Sequence, residues 1–119
     1  MQDVIPYITI TGANDGDGTG SATIQVKDAA GNNLAQRFRL TTWIAETDFD
    51  TTPDAQTDFS VTTGTQKMEV TADAEYVVDT DATGLVVMNI NAGGAKTVYI
   101  MAELDGRIYS SGAINVTVP

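Results

Sequence analysis

The chain of 119 residues is long enough for one domain and too short for two, and it carries a net charge of −10. It contains neither cysteine nor histidine, which excludes disulfides and thiolate metal sites and removes the commonest general base. No apolar run approaches the roughly 18 residues of a membrane span, and the first residues lack the pattern of a signal peptide. We therefore expect one domain that needs no cofactor, in the cytosol or in a particle assembled there.

The charges are unevenly distributed. Sixteen acidic residues stand against six basic ones, and between positions 46 and 81 the only base is Lys67. Binding to nucleic acid needs clustered cations that neutralise phosphates, so we expect no nucleic-acid partner. The acidic middle of the chain is either a solvated face or a surface that meets a basic patch on a partner.

Strand patterns begin near the N-terminus. A first strand is predicted over residues 4–11, and Pro6 places it at a sheet edge or starts it later, because proline cannot donate a ladder hydrogen bond. Composition predicts a loop over 12–20. The next strand alternates apolar and polar residues, which places on one face Ala22, Ile24 and Val26.

The following segment predicts a turn, a strand and a long connection. Asp28 to Gly31 has the Asp-x-x-Gly pattern of a type I turn. A strand is predicted over 34–44, with three inward residues, Phe38, Leu40 and Ile44. Thr47 to Asp58 is a polar connection long enough to indicate a functional or mobile loop. One or two weaker strands are predicted over 59–72.

Residues 77–106 predict three strands joined by turns, which we interpret as a β-meander forming half of a sandwich. Asp81 to Gly84 repeats the Asp-x-x-Gly pattern, and Asp105-Gly106 predicts a type I′ hairpin turn. No segment has an apolar period of 3.6 residues with helix caps. The whole chain is therefore predicted to be a single all-β domain over 1–119, an immunoglobulin-like β-sandwich of about seven antiparallel strands.

The last hairpin contains a register conflict. A two-residue turn at 105–106 pairs Leu104 with Arg107 and would pair Val98 with Ala113, which puts the apolar residues of the final strand on the wrong face. A β-bulge near Ser110-Ser111-Gly112 would repair the register, since glycine inside a strand often marks a bulge.

Three stretches carry a family resemblance: ATIQVKDAAGNNL, then TDATGLVVMNI, then AGGAKTVYIMAELDG. They are similar to bacterial immunoglobulin-like domains over most of residues 20–106. The resemblance implies a sandwich fold and leaves function open, because this scaffold hosts many roles.

The stretches between them, QRFRLTTWIAETDF, VTTGTQKMEVTADAEYVVDTD and DGRIYSSGAINV, resemble small immunoglobulin-like structural proteins of tailed bacteriophages. This resemblance implies a non-enzymatic virion protein, a decoration or auxiliary subunit that binds the major capsid protein or another virion protein after assembly in the bacterial cytoplasm. The alternative is an immunoglobulin-like adhesion module, on a tail or surface, that binds a host surface or a glycan. Whether copies of the chain associate with one another stays open.

One loop resembles half of a calcium site. Asp15, Asp17 and Thr19 alternate as the first ligands of an EF-hand do, but the twelfth position is Val26 rather than a glutamate, and strands flank the loop. A Gly-rich turn accounts for the pattern better, so no metal site is predicted, and Asp15 and Asp17 are only weak candidates.

The only tryptophan, Trp43, has two interpretations. Strict alternation puts it outside with Arg37 and Arg39, a composition typical of interface hot spots. A bulge near Thr41-Thr42 would instead bury it as the core tryptophan common in sandwiches. We predict the partner-binding surface on Arg37, Arg39 and Trp43, together with the N-terminal segment Met1–Tyr7; the competing surface is the pair of loops at 14–19 and 47–58.

Catalysis is not expected. The usual activated nucleophiles need a histidine or cysteine. Paired carboxylates such as Asp48 and Asp50 could do acid–base work, but they lie in a polar loop, where solvated acids are the better account.

Overall fold

A computed structural model describes residues 6–54 and 58–119. Nine β-strands account for the regular structure of these residues, and every pair of neighbouring strands is antiparallel. Their bounds are β1 Tyr7–Asn14, β2 Thr19–Lys27, β3 Arg39–Ala45, β4 Asp58–Thr63, β5 Thr65–Thr71, β6 Glu75–Asp79, β7 Leu85–Asn91, β8 Lys96–Leu104 and β9 Arg107–Val116.

The strands form two packed sheets. Sheet A has the order β1-β2-β7-β4, and sheet B has the order β5-β6-β3-β8-β9. The predicted all-β sandwich is confirmed, but the described residues contain nine strands where about seven were expected. The difference lies in 58–79, where short segments form β4, β5 and β6, although among these three only β6 alternates regularly between buried and half-buried residues.

The core lies between the sheets and is built by alternation. Ala22, Ile24 and Val26 of β2 are fully buried, as predicted, and β7 contributes Val86, Met88 and Ile90 in the same manner. Every second residue of these central strands faces the other sheet, because successive side chains of a strand point to opposite faces. Burial of such a continuous apolar layer is the main stabilising term of the fold.

The meander predicted over 77–106 is wrong. β6 belongs to sheet B, β7 to sheet A and β8 to sheet B, so the chain crosses between the sheets twice. The Asp81–Gly84 turn and the segment 92–95 are therefore corners between sheets rather than hairpin turns. Local sequence shows a turn but does not show which strand pairs across it.

The four-plus-five arrangement has the spatial strand order of a variable-type immunoglobulin sandwich. The chain order differs in one place. After β3 the chain first forms β4 at the edge of sheet A and only then forms the hairpin β5–β6 at the edge of sheet B, whereas the variable-type chain visits these positions in the opposite order. This departure falls in the acidic middle of the sequence.

Two predicted boundaries are corrected. β1 continues through Gly12 to Asn14 and β2 starts at Thr19, so the loop predicted over 12–20 shrinks to 15–18. β3 starts at Arg39, five residues later than predicted, although Leu34 and Phe38 still pack against the core. β1 lies at the edge of sheet A, as its proline indicated.

The two Asp-x-x-Gly turns have the same geometry. In each turn one oxygen (Oδ1) of Asp28 or Asp81 accepts hydrogen bonds from the amides two and four residues later, at 2.8–3.1 Å. The closing glycines, Gly31 and Gly84, have φ of 86° and 75°, a conformation that glycine adopts without steric cost. The repeated motif thus gives a repeated structure.

The β8–β9 hairpin confirms the predicted turn and the predicted bulge. Asp105 and Gly106 both have positive φ, as a type I′ turn requires, and Leu104 pairs with Arg107. The register then shifts by one residue, so that Val98 pairs with Ile114 instead of Ala113. The amide of Ile100 next to this bulge donates to the hydroxyl of Ser111 at 3.0 Å.

Candidate binding surface

The outer face of sheet B carries two of the three predicted site residues, Arg39 and Trp43, and its register arranges the residues of the face in rows that run across the strands. One row joins Thr65, Asp79 and Arg39. The second row joins Met68, Val77, Thr41, Glu103 and Ile108. The third row joins Thr71, Glu75, Trp43, Met101 and Ser110.

Trp43 lies on this outer face, but it is not exposed. The register of β3 is unbroken from Arg39 to Ala45, so the bulge that would have turned the indole into the main core is absent. Its exposed fraction is nevertheless only 5%. Trp43, Ala45 and Met101 form a second small apolar cluster, separate from the main core. Trp43 as an exposed partner-binding residue is therefore wrong, and so is the bulged alternative.

Residues 46–54, which we call the covering loop, bury this cluster. The Trp43 indole Nε1 donates to the Asp50 carbonyl oxygen at 2.8 Å. The carboxylate of Asp48 accepts a short hydrogen bond from the Ser110 hydroxyl on β9. Tethers on two different strands hold the loop flat against sheet B, so this polar connection serves a packing role that its composition did not show.

An ion-pair network holds both ends of the covering loop. Lys96 Nζ on β8 lies 2.7 Å from Glu46 Oε1 and 3.4 Å from Asp54 Oδ2. The hydrogen bond with Lys96 is the main cause that lowers the pKa of Glu46, and the same contact raises the pKa of Lys96. The backbone amide of Asp54 also donates to the Ile44 carbonyl at 2.8 Å. One lysine therefore closes the loop at its first and last residues.

Phe49 stands at the tip of the covering loop. Its side chain is 56% exposed, and its φ of 57° places it in the left-handed region, which costs an L-residue roughly 1–2 kcal/mol. A large aromatic side chain that is both exposed and in a strained backbone conformation does not stabilise the fold. Such positions are concentrated at sites of function.

The two predicted arginines lie near one another but have different environments. Arg39 is paired with Asp79 through two contacts, Nε to Oδ1 at 2.8 Å and Nη2 to Oδ2 at 3.3 Å. The hydrogen bond from Arg39 is the main cause that lowers the pKa of Asp79. Arg37 precedes β3 and places Nη1 3.5 Å from the Thr80 carbonyl oxygen. Of the predicted segment Met1–Tyr7, residues 1–5 lie outside the described residues.

The half of sheet B that the covering loop leaves uncovered, on β5 and β6, carries an apolar patch that the sequence analysis missed. Met68 is 59% exposed and Val70 is 50% exposed, and the half-buried Val77 pairs with Met68. We call these three residues the open patch. The cations Lys67 and Arg39 border it, and both contact Asp79, with Lys67 Nζ 3.7 Å from Oδ2.

β5 is irregular where it carries the open patch. The register of β5 against β6 shifts between Gln66 and Met68 and again between Glu69 and Thr71. At each shift two consecutive residues of β5 stand opposite one residue of β6, and between the two shifts Met68 pairs with Val77 of the outer face. β5 also forms the fifth strand of a sheet that faces a four-stranded one, and its side chains are exposed along most of its length.

The candidate calcium residues hold their own loop. The Thr19 hydroxyl lies 2.5 Å from Asp17 Oδ1 and 3.1 Å from Asp15 Oδ2, and the Thr19 amide donates to Asp17 Oδ1 at 3.2 Å. The hydrogen bond from the Thr19 side chain is the main cause that lowers the pKa of Asp17. No group of three or more acidic side chains within residues 6–54 and 58–119 is arranged to hold a metal ion. The carboxylates have a structural explanation as turn-forming groups.

A groove of about 450 Å³ lies between the free edges of β1 and β9. Its walls include Ile10, Asn14 and Ser111. The Asn14 side chain closes one end, because its amide nitrogen donates to the Thr117 hydroxyl at 2.8 Å and its oxygen accepts from the Thr117 amide at 3.1 Å. The groove carries no ionisable side chain, so it offers no group for acid–base chemistry.

The buried polar side chains of the described residues are Thr42 and Thr80. The Thr42 hydroxyl donates to the Met101 carbonyl at 2.9 Å, and the Thr80 hydroxyl accepts from the Phe38 amide at 2.9 Å. The pKa of Tyr76 is raised to about 12, first by burial of the phenol and then by its hydrogen bond to Glu69. Each of these groups joins neighbouring strands, and none is aimed at a cavity.

No helix in the described part of the chain has the length and apolar character needed to cross a membrane.

Sequence reasoning placed the candidate site on the strand that contains Trp43 and did not name the exposed apolar residues on this side of sheet B. The missed residues are Phe49, Met68 and Val70. A signal for Phe49 existed, because it is a lone aromatic residue between acids in a polar segment (TDFDTT). Met68 and Val70 gave no comparable signal, since the alternation QKMEV is that of an ordinary half-buried strand.

The chain was compared with families and with curated proteins. No family model matches it, and no curated protein matches it.

Proposed function

We propose that this protein is a non-enzymatic structural protein of a tailed bacteriophage particle, a decoration or auxiliary subunit that binds the capsid protein lattice. The proposal is supported by the resemblance of its middle and C-terminal stretches to small phage proteins with an immunoglobulin-like fold. A single rigid sandwich that presents loops and a partly open sheet face suits a subunit that docks on a larger assembly.

The observation that supports a non-enzymatic role is the set of polar side chains that the fold buries. The buried polar side chains among the described residues are two threonine hydroxyls, and both are used in strand-to-strand hydrogen bonds. Functional acids and bases usually sit in clefts, where burial and a specific neighbour shift their pKa values. Surface recognition is the activity that this distribution of groups favours.

The charge supports a protein partner rather than nucleic acid. The net charge of −10 repels phosphate. Of the surface proposed for the partner, Arg37 and Arg39 are retained and Trp43 is withdrawn, because the covering loop buries its indole. On a decorated shell the acidic loops would keep particles apart by like-charge repulsion.

The test is co-sedimentation of the purified protein with empty phage heads. The wild-type protein is expected to sediment with heads, and Arg37→Glu is expected to reduce its occupancy. The matched control is Arg107→Glu, which makes the same charge change on an exposed arginine at the β8–β9 turn. Binding to host cells without binding to heads would favour the adhesion module instead, and a DNA gel shift at ~150 mM salt would contradict the proposal.

A further inference from the structure

The exposed large apolar side chains of the described residues are Phe49, Met68, Val70 and Val118. Three of these four belong to the outer side of sheet B. Phe49 stands on the covering loop, which rests on β3, β8 and β9 through its contacts with Trp43, Lys96 and Ser110. Met68 and Val70 lie on β5 at the other side of the same sheet. The outer face thus has a raised half with an aromatic tip and a low half with an apolar patch.

We propose that this face binds a second copy of the chain, forming a two-fold symmetric dimer in which Phe49 of each copy packs on the open patch of the other. A two-fold axis in the interface, parallel to the strands and close to β3, places the β8–β9 side of one sheet over the β5–β6 side of the other. The raised half then meets the low half twice. Two-fold interfaces are the commonest among homo-oligomers and require such a self-complementary surface.

The charges around the two elements are complementary. Phe49 is flanked by Asp48 and Asp50 in the covering loop. The open patch is bordered on one side by Lys67 and Arg39, two of the six bases of the chain, which share Asp79. Glu75 lies in the row on its other side, towards Trp43. The dimer therefore sets an acidic tip against a cationic border at both contacts. Complementary charges of this kind select the partner and the register more than they raise the affinity.

The covering loop is organised in advance for this contact. Lys96 closes both of its ends, and Trp43 and the Ser110 hydroxyl hold its middle. A loop that is already ordered loses little conformational entropy when it binds. The strained backbone of Phe49 has the same explanation, because the protein keeps an aromatic side chain pointing outward in a conformation that glycine would adopt more easily.

Edge-to-edge pairing of β5 is the other way for two copies to associate through this region, and the structure opposes it. β5 contains two bulges and an outward lysine, Lys67. Both are devices by which natural sheets prevent pairing of exposed edges. The face of sheet B, rather than its edge, is the surface that is left for a second copy.

The size of the face sets the expected strength. Five strands about 4.8 Å apart and about seven residues long cover roughly 550 Å², which is below the roughly 800 Å² per partner of a standard interface. Each copy also carries a charge of −10, which opposes association at long range. We therefore expect a dimer that dissociates on dilution.

The inference shares Arg39 with the proposed capsid surface but does not rest on the proposed function, and it is tested with the purified protein alone. Sedimentation equilibrium at ~150 mM salt is expected to show a monomer–dimer equilibrium, with the dimer growing as concentration rises. Phe49→Asp and Met68→Asp are each expected to weaken dimerisation at least tenfold. The matched control is Val118→Asp, which adds the same charge at an exposed apolar residue near the C-terminus. Circular dichroism checks that each variant is folded.

A crosslinking experiment tests the pairing of loop with patch. The chain contains no cysteine, so Thr51→Cys on the covering loop and Thr71→Cys on β5 each introduce a single thiol. A mixture of the two variants treated with a short bismaleimide is expected to give more crosslinked dimer than either variant gives alone. A wild-type protein that stays monomeric at the highest soluble concentration would overturn the inference. So would dimerisation that survives Phe49→Asp, or crosslinking of Thr51→Cys mainly to itself.

Discussion

The indole Nε1 of Trp43 and the carbonyl oxygen of Asp50 are 2.8 Å apart. This hydrogen bond joins β3 to the covering loop and explains how a tryptophan on the outer face of a sheet is only 5% exposed. The bond is partly buried. Loss of the indole N–H there would leave the Asp50 carbonyl oxygen without a donor, which costs more stability than at the surface.

The first prediction concerns this bond. Trp43→Phe keeps an aromatic ring over Met101 and removes the donor, so the free energy of unfolding is expected to fall by ~1 kcal/mol. Trp43→Ala also empties the cluster and is expected to cost ~3–5 kcal/mol. Urea unfolding followed by circular dichroism measures both changes. Equal losses in the two variants would show that the hydrogen bond, and not the packing, holds the covering loop.

The position of Trp43 also shows how much of the site could be predicted from the sequence. Alternation along β3 correctly predicted that the indole points away from the main core. Its burial was not predictable, because it depends on the contact of Asp48 with Ser110, 62 residues later, and on Lys96, which closes the loop from β8. No local pattern contains such distant contacts.

The C-terminal hairpin is the opposite case. Its turn, its register and its bulge were all predictable, because each depends on residues within 98–114. The turn residues determine which strand positions pair, and the demand for one apolar face then requires an extra residue near Gly112, whose φ is 74°. The meander prediction failed because β7 pairs with β2 and β4, which lie earlier in the chain, rather than with its neighbours β6 and β8.

The second prediction concerns pH. The pKa of the Asp79 carboxyl is lowered in the folded protein, chiefly by its hydrogen bond with Arg39. A lowered pKa contributes stability above the unfolded value of ~3.9, and this contribution is lost as pH falls through the lower folded value. Asp79→Asn is therefore expected to be less stable than wild type at neutral pH, and the difference should shrink as the solution is acidified below about pH 4.

Arg39→Gln is the companion to this pH experiment. If the pair is responsible, Arg39→Gln and the double variant are expected to lose the same acid-sensitive part of the stability, because the two residues then act as one unit. Chemical unfolding at a series of pH values measures the slope for each protein. Effects of the two single changes that simply add would show that Asp79 gains its stabilisation elsewhere.

The third prediction concerns the contact between the edges of the sandwich. A Cβ atom added at Gly12 would lie 2.3 Å from Cγ1 and 2.5 Å from Cδ1 of Ile114, and Ile114 is buried. Gly12→Ala is expected to destabilise the fold by ~1–3 kcal/mol through overpacking. Gly94→Ala is the control, because a Cβ there has nothing within 4 Å. Thermal unfolding compares them, and equal midpoints would show that β9 moves aside freely.

The last prediction separates the contribution of Phe49 to the stability of the fold from its role in dimerisation. Because Phe49 has a φ of 57° and is 56% exposed, Phe49→Gly removes backbone strain and little buried area. Its free energy of unfolding is expected to stay level or to rise by up to ~1 kcal/mol. Dimerisation is expected to weaken as strongly as in Phe49→Asp. Thr51→Ala is the control in the same loop, since it keeps the aromatic tip, the two flanking acids and the carbonyl that Trp43 binds. Urea unfolding and sedimentation are measured on the same samples. A marked loss of stability in Phe49→Gly would mean that the ring belongs to the packing of the covering loop and is not held out for a partner.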